Sequence, residues 1–343
     1  MSNRRIYGNP SAITDLIGLF KHQLELSNLC SGETCVVVTD TAFNPLYSDS
    51  CIAAANDMGA ETYKITLPHT GSLPRKSWGS ALKESDLIIY STTHTLHYSE
   101  EIRDALNSGA RALMVVIPLN AMERLRGDPE VIKRTKAGAE LMRKANRIRI
   151  TSDAGTDLTM ERGDRPVLAH YGVADTPGHL DFWGAGMVET AELESSLEGE
   201  MVLDIGDLMF YFSRYVESPV KIAFRRGRIT EVSGGIDAFL LRKHLESFGE
   251  ENAWMAGHMG WGTDKRALWT AQTLQLPEPG SSSADAEAFY GNVQIEIGSN
   301  NDVNFRGRNA SKAHLGHCML NCNLYLDDEK IIDHGQFLLA DMK

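Results

Sequence analysis

The strongest constraint on this chain is a rhythm in its first 150 residues, where short unbroken apolar runs alternate with stretches of helical period. Cys35-Val36-Val37-Val38-Thr39-Asp40, Asp86-Leu87-Ile88-Ile89-Tyr90-Ser91 and Arg111 to Ile117 read as strands, and Glu61 to Leu67 as a fourth. Between them Asp49 to Met58 reads as a helix stopped by Gly59, and Glu100 to Asn107 as another. Asp128, Pro129 and Glu130 then supply an N-cap, a first-turn proline and a first-turn acid. They open a long helix with Val131, Ile132, Leu141, Met142 and Ala145 on its apolar side. A strand that is apolar on both faces must be covered on both, which is the condition of a parallel sheet between helices. Thr39-Asp40-Thr41-Ala42-Phe43-Asn44-Pro45 holds no glycine, so the phosphate-cradling turn of a dinucleotide site is not expected.

The pattern changes at residues 148–152. Beyond them Lys221 to Arg226 and Arg228 to Ser233, hinged at Gly227, have the look of antiparallel strands. A helix is expected from Ile236 to Phe248, a Gly/Trp-rich loop from His258 to Trp269, and a C-terminal hairpin turning at Asp328-Glu329. Pro277-Glu278-Pro279-Gly280-Ser281-Ser282-Ser283 reads as a surface loop. The expected architecture is therefore α/β: a parallel-sheet α/β domain over 1–150, then an α+β domain with mostly antiparallel strands over 151–343.

Composition removes several function classes. A chain of 343 residues is long enough for two cores. Its net charge of -12, with no basic stripe, argues against a nucleic-acid partner and fits a solvated acidic surface. The cysteines (Cys30, Cys35, Cys51, Cys318, Cys322) are odd in number and hold no CxxC pair, so buried thiols are expected rather than disulfides or structural zinc. No apolar run approaches membrane-spanning length and no apolar h-region follows Met1, so a cytoplasmic protein without a membrane partner is expected.

Chemistry concentrates in the last quarter. His258 lies within Gly257-His258-Met259-Gly260-Trp261-Gly262, and His314-Leu315-Gly316-His317 follows the acidic strand segment Gln294-Ile295-Glu296-Ile297-Gly298. Neutral imidazoles are the commonest protein ligands of Fe, Zn, Ni and Cu, and a carboxylate completes most catalytic sites.

Further segments join these. They are Arg266-Ala267-Leu268-Trp269-Thr270-Ala271, Ala288-Phe289-Tyr290-Gly291-Asn292 and Asn321-Cys322-Asn323-Leu324-Tyr325-Leu326-Asp327-Asp328, with Tyr171-Gly172-Val173-Ala174-Asp175 upstream. Together they resemble the 2,5-dihydroxypyridine 5,6-dioxygenases. The resemblance implies an aminopeptidase T-like fold, a non-haem Fe(II) centre, a hydroxylated N-heterocyclic aromatic substrate with O2, and a homo-oligomer. It further implies that His258 and His314 bind the iron and that His97 lines the substrate pocket. The family's His-x-Asp carboxylate is replaced here by Gly316. That leaves three possibilities: Glu296 as third ligand, His317 as third ligand, or no metal; and the ion itself could be another divalent metal such as Zn or Mn. His170 and Phe182 also stand where the family has a glutamate and a histidine. His97 and His170 are the candidates for general base. Arg162 and Arg266 could hold a substrate carboxylate, and Trp261, Trp269, Phe289 and Tyr290 could wall a flat ring. Two other classes stay open: a metal-dependent hydrolase of amides or ring substituents on the same scaffold, and a metal-free binding protein.

Overall fold

A computed structural model of the chain describes residues 10–70, 75–94, 96, 99–271, 284–301 and 304–343. The chain forms two compact units. The first ends at Pro129 and takes in His170–Ala185; the second holds Glu130–Ala169 and the described chain from Gly186 onward.

The first unit is built on the parallel sheet that the Val/Ile runs require. Its five strands lie in the order β2 (Glu61–Leu67), β1 (Thr34–Asp40), β3 (Leu87–Ser91), β4 (Arg111–Met114), β8 (Leu180–Phe182), every pairing parallel. Its helices are α1 (Pro10–Leu26), α2 (Pro45–Asp57), α3 (Arg75–Lys83), α4 (Glu100–Asn107) and the short α5 (Leu119–Met122). Val36, Val38, Ile88, Tyr90 and Ala112 form one face and pack with Trp78 and Leu82 of α3 and Ile102 and Ala105 of α4. Alternation turns Cys35, Val37 and Ile89 to the other face, where they are equally buried and Cys35 meets Cys51 of α2. Helix α2 starts at Pro45, earlier than the expected Asp49, because the Asn44 side chain caps it by accepting the Leu46 N–H at 3.1 Å.

Helix α6 (Pro129–Lys144) belongs to the second unit, since Ala139 and Met142 enter that unit's core. The division of the chain thus falls before α6, not after it at 148–152. Nothing in the local sequence marks this, because the helix is equally well capped whichever core it joins.

The second unit holds two antiparallel sheets. One runs β14 (Arg228–Gly234), β13 (Val220–Arg225), β10 (Glu198–Leu203), β6 (Asp157–Glu161), β5 (Arg147–Thr151), β18 (Asn323–Leu326), β19 (Glu329–Asp333), β20 (Gln336–Phe337). The other runs β12 (Arg214–Tyr215), β11 (Leu208–Met209), β17 (His314–Met319), β16 (Val293–Gly298), β15 (Ala256–Gly262), β9 (Met187–Ala191), β7 (Val167–His170). Helices α7 (Ile236–Ser247) and α8 (Ala284–Ala288) complete the unit. Ile148, Ile150, Leu158, Met201 and Ile222 of the first sheet share one core with Met259, Trp261, Ile295, Ile297, Leu315 and Met319 of the second. Period-two alternation then commits the intervening residues of β15, β16 and β17 to the opposite face. The expected loop after Gly257 is in fact strand β15, and the hairpin turns at Asp327-Asp328. The Pro277–Ser283 segment lies outside the described residues, among which no helix is long and apolar enough to cross a membrane.

One buried acid gives this unit a pH signature. Glu192, just beyond β9, is 2% exposed, and burial pushes its carboxyl up to about 8, although it accepts the Leu197 N–H at 2.9 Å. A carboxyl raised on folding contributes stability that is complete below its unfolded pKa of roughly 4.3 and is lost as pH rises through its folded value. Glu192→Gln should therefore melt progressively above the wild type as pH climbs from 5 to 9. Parallel melting curves across that range would contradict the assignment.

Candidate metal centre

The outward face of the second sheet is set by the pairing of three strands. Directly opposite residues in an antiparallel ladder share a face. Gln294 pairs Cys318, Glu296 pairs Gly316 and Gly298 pairs His314 across β16 and β17. On the other side Gly260 pairs both Gln294 and Glu189. The β15–β16 register shifts between Ala256 and Met259, which stand opposite Ile297 and Ile295, so Gly257 and His258 together face Glu296. Such a bulge re-aims a side chain, and here it brings His258 over the carboxylate.

The result is a cluster of three donors. His258, Glu296 and His314 each offer one ligand atom, and these atoms lie within 4.8 Å of one another. His258 and Glu296 are buried and His314 is exposed at the edge. Oxygen Oε2 of Glu296 is buried with no hydrogen-bond partner among the described residues. Burial, then the charges of Glu287 and Glu189, holds the Glu296 carboxyl well above the usual carboxylate range. Desolvation by the surrounding protein lowers His314, although part of its side chain reaches solvent, and favours neutral imidazole. A cation would reverse the penalty on the carboxylate and would accept lone pairs from the neutral rings. The donor types fit a metal: two imidazoles and one carboxylate are the set of non-haem Fe(II) oxygenases, with coordination positions left open.

Neighbours hold the set in place. Phe305 stacks on His258 at 4.2 Å between ring centroids and 20° between planes. A Glu189 oxygen lies 3.8 Å from Nδ1 of His258 and accepts a 3.5 Å hydrogen bond from the Gln294 amide. This approach needs Gly260, where a Cβ would come within 2.9 Å of both Glu189 and Gln294. Glu189 and Phe305 were missed in the sequence. The first carries a signal, a lone acid in the apolar run Met187-Val188-Glu189-Thr190-Ala191; the second carries none.

His317 does not join the cluster. Alternation along β17 turns it to the core, where it is fully buried and burial pushes its pKa down to about 4. The Ile295 carbonyl, 3.2 Å from Nδ1, can only accept, so Nδ1 carries the proton and Nε2 accepts from the Tyr211 hydroxyl at 3.0 Å. Both nitrogens are engaged, and this corrects the expectation of a third metal histidine.

Four other candidates are likewise committed to the fold. Arg162 donates from all three nitrogens to the carbonyls of Ala145 (3.0 Å), Arg165 (2.8 Å) and Arg143 (3.2 Å), closing the end of α6. Arg266 grips buried Asp264 through Nε and Nη2, with two bonds of 3.0 and 2.7 Å, so that its side-on fork is engaged within the fold. Trp261 is fully buried on the core face, so it walls no pocket. Tyr290 donates to the Met342 carbonyl at 3.2 Å and packs edge-on to Phe337. Trp269 and Phe289 meet edge-to-face at 5.1 Å, and Trp269 packs with Phe210 and Tyr215 around Leu208, Ala286 and Cys318 on the outward face.

In the first unit, His170 lies 4.8 Å from the Phe182 ring, with Nδ1 3.6 Å from Oδ1 of fully buried Asp181. His179 faces the other Asp181 oxygen at 3.5 Å. His97 lies outside the described residues.

Comparison with known proteins bears on this geometry. A family profile described as 2,5-dihydroxypyridine 5,6-dioxygenase matches residues 15–339. The 2,5-dihydroxypyridine 5,6-dioxygenase of Pseudomonas putida KT2440 is 30% identical, covering 97% of this chain and 98% of its own. The solved structure of that organism's enzyme superposes with a TM-score of 0.91 at 28% identity, over 97% of this chain and all of that one. AmpT from Thermus thermophilus follows at 0.63 and 14% identity over 95% of this chain and 99% of its own, a likeness of fold alone.

Proposed function

The chain belongs to the 2,5-dihydroxypyridine 5,6-dioxygenase family, and from that premise we propose that it is a metal-dependent dioxygenase that opens a hydroxylated N-heterocyclic ring. The observation that carries the proposal is the convergence of His258, Glu296 and His314 within 4.8 Å on one face of the second sheet. These three residues would hold Fe(II), with Glu296 supplying the carboxylate. A redox-active divalent ion bound there would supply the place where the ring's oxygens and O2 meet and exchange electron density.

The protein's own residues account for the rest. Phe305 stacks on the His258 ring and limits its rotation, and the Glu189 carboxylate lies 3.8 Å from its Nδ1. The apolar group of Phe210, Tyr215 and Trp269 around Leu208 and Cys318 keeps water from one flank of Glu296. Exclusion of water strengthens every charge interaction at the donors.

Purification without oxygen, metal quantification and an oxygen electrode test the reading together. About one metal per chain and uptake of O2 on addition of 2,5-dihydroxypyridine are expected. A protein without stoichiometric metal that takes up no O2 after Fe(II) is added would overturn it. Product formation without O2 uptake would move the chain to the hydrolase class.

A further inference from the structure

The bare Cα of Gly316 is covered by a ring. Strand β11 runs beside β17 with Leu208 opposite Cys318 and Met209 opposite His317. The next residue, Phe210, therefore arrives at Gly316, on the face that carries Glu296. A Cβ at Gly316 would lie 1.6 and 1.7 Å from Cζ and Cε1 of Phe210, and 2.5 Å from Oε1 of Glu296. The tip of the Phe210 ring thus fills the volume that a side chain at 316 would take, and it lies against the carboxylate.

This ring is held rather than loose. Phe210 opens a short 3-10 turn, Phe210–Phe212, and is half-buried against Leu208, Ala286 and Cys318. Trp269, in the same group, is tied down by its indole N–H, which donates to the Gly206 carbonyl at 2.9 Å. The following residue, Tyr211, reaches the opposite face and bonds His317 at 3.0 Å. The turn is therefore pinned on both sides of the sheet, and the ring has one place to be.

We infer that Phe210 is a specificity-determining residue of this centre: its ring is the apolar wall, beside Glu296, against which a flat aromatic substrate lies. The inference rests on the proposed function. The expected walls, Trp261 and Tyr290, pack against the core instead. Aromatic pairs prefer offset or edge-on contact, and a restrained ring offers that contact without ordering itself on binding. The wall and the glycine are one device, since any side chain at 316 would displace the ring.

Binding is measured on protein loaded with redox-inert Zn(II), by calorimetry with 2,5-dihydroxypyridine, so that turnover plays no part. Phe210→Ala should keep its metal and bind the ring about 10-fold more weakly, with Phe210→Leu between the two. A Phe210→Ala protein that binds the ring as tightly as wild type overturns the inference. So does one that loses its metal as Glu296→Gln does, because Phe210 would then only support the donor. Wild-type protein that takes up neither Zn(II) nor the ring would sink the proposed function first and this inference with it. Packing gives an independent arm: Gly316→Ala should lower Tm in the wild type and cost little in Phe210→Ala. Equal losses in the two backgrounds would show that the positions do not share a volume.

Discussion

His258→Ala protein should purify without metal, and so should Glu296→Gln. Three protein donors are the minimum for a catalytic centre, and none can be spared. Even the partners that merely orient a ligand are worth roughly 10–100-fold in metal affinity, so loss of a donor itself should exceed that range. The two substitutions differ in what they leave behind. His258→Ala opens a space under the Phe305 ring, which stacks on His258 at 4.2 Å. Glu296→Gln removes a buried acid whose carboxyl is held well above the usual carboxylate range by burial and by Glu287 and Glu189. Metal-free Glu296→Gln should therefore be at least as stable as the metal-free wild type, while failing to gain stability when Fe(II) or Zn(II) is added. Metal content by mass spectrometry and Tm with and without added ion read both effects. A Glu296→Gln protein that retains a full complement of metal would remove Glu296 from the centre.

His317→Leu should do the reverse. The substitution leaves the Tyr211 hydroxyl buried without its acceptor, at about 1–3 kcal/mol, and removes a further hydrogen bond to the Ile295 carbonyl worth about 1 kcal/mol. A total loss of roughly 2–4 kcal/mol is expected, read by chemical denaturation of the metal-free protein. Metal content should stay at the wild-type value, because His317 faces the core and both its nitrogens are occupied there. Loss of metal with unchanged stability would show that the histidine turns outward in the loaded protein.

These opposite outcomes trace back to what the sequence could and could not say. The parallel sheet was legible because unbroken Val/Ile runs are a local property, and Glu61–Leu67 fell on the expected residues. Strand β4 stops at Met114 although the apolar run continues to Ile117, because register with β3 ends there. The stretch around His258 read as loop because glycine disfavours strands. In the structure those glycines make room, at Gly260 for Glu189 and Gln294 and at Gly262 for the Phe289 carbonyl. Choosing between Glu296 and His317 needed only the strand assignment of 314–319: period two from His314 selects Gly316 and Cys318 and turns His317 away. The commitments of Arg162 and Tyr290 were not legible, because their partners are backbone carbonyls brought close only by the tertiary fold. Phe210 was hidden for the same reason; nothing but its place beside β17 distinguishes it from a core phenylalanine.

The central claim is that His258, Glu296 and His314 serve an oxygen-dependent ring opening. Isotope labelling tests it most directly. Fe(II)-loaded protein is given 2,5-dihydroxypyridine under 18O2 in unlabelled water, and the product is weighed by mass spectrometry. The account predicts that both atoms of one O2 appear in the ring-opened product, and that neither His258→Ala nor Glu296→Gln yields labelled product. Product that draws its new oxygen from water alone, or label incorporated equally by the Glu296→Gln protein, would contradict it.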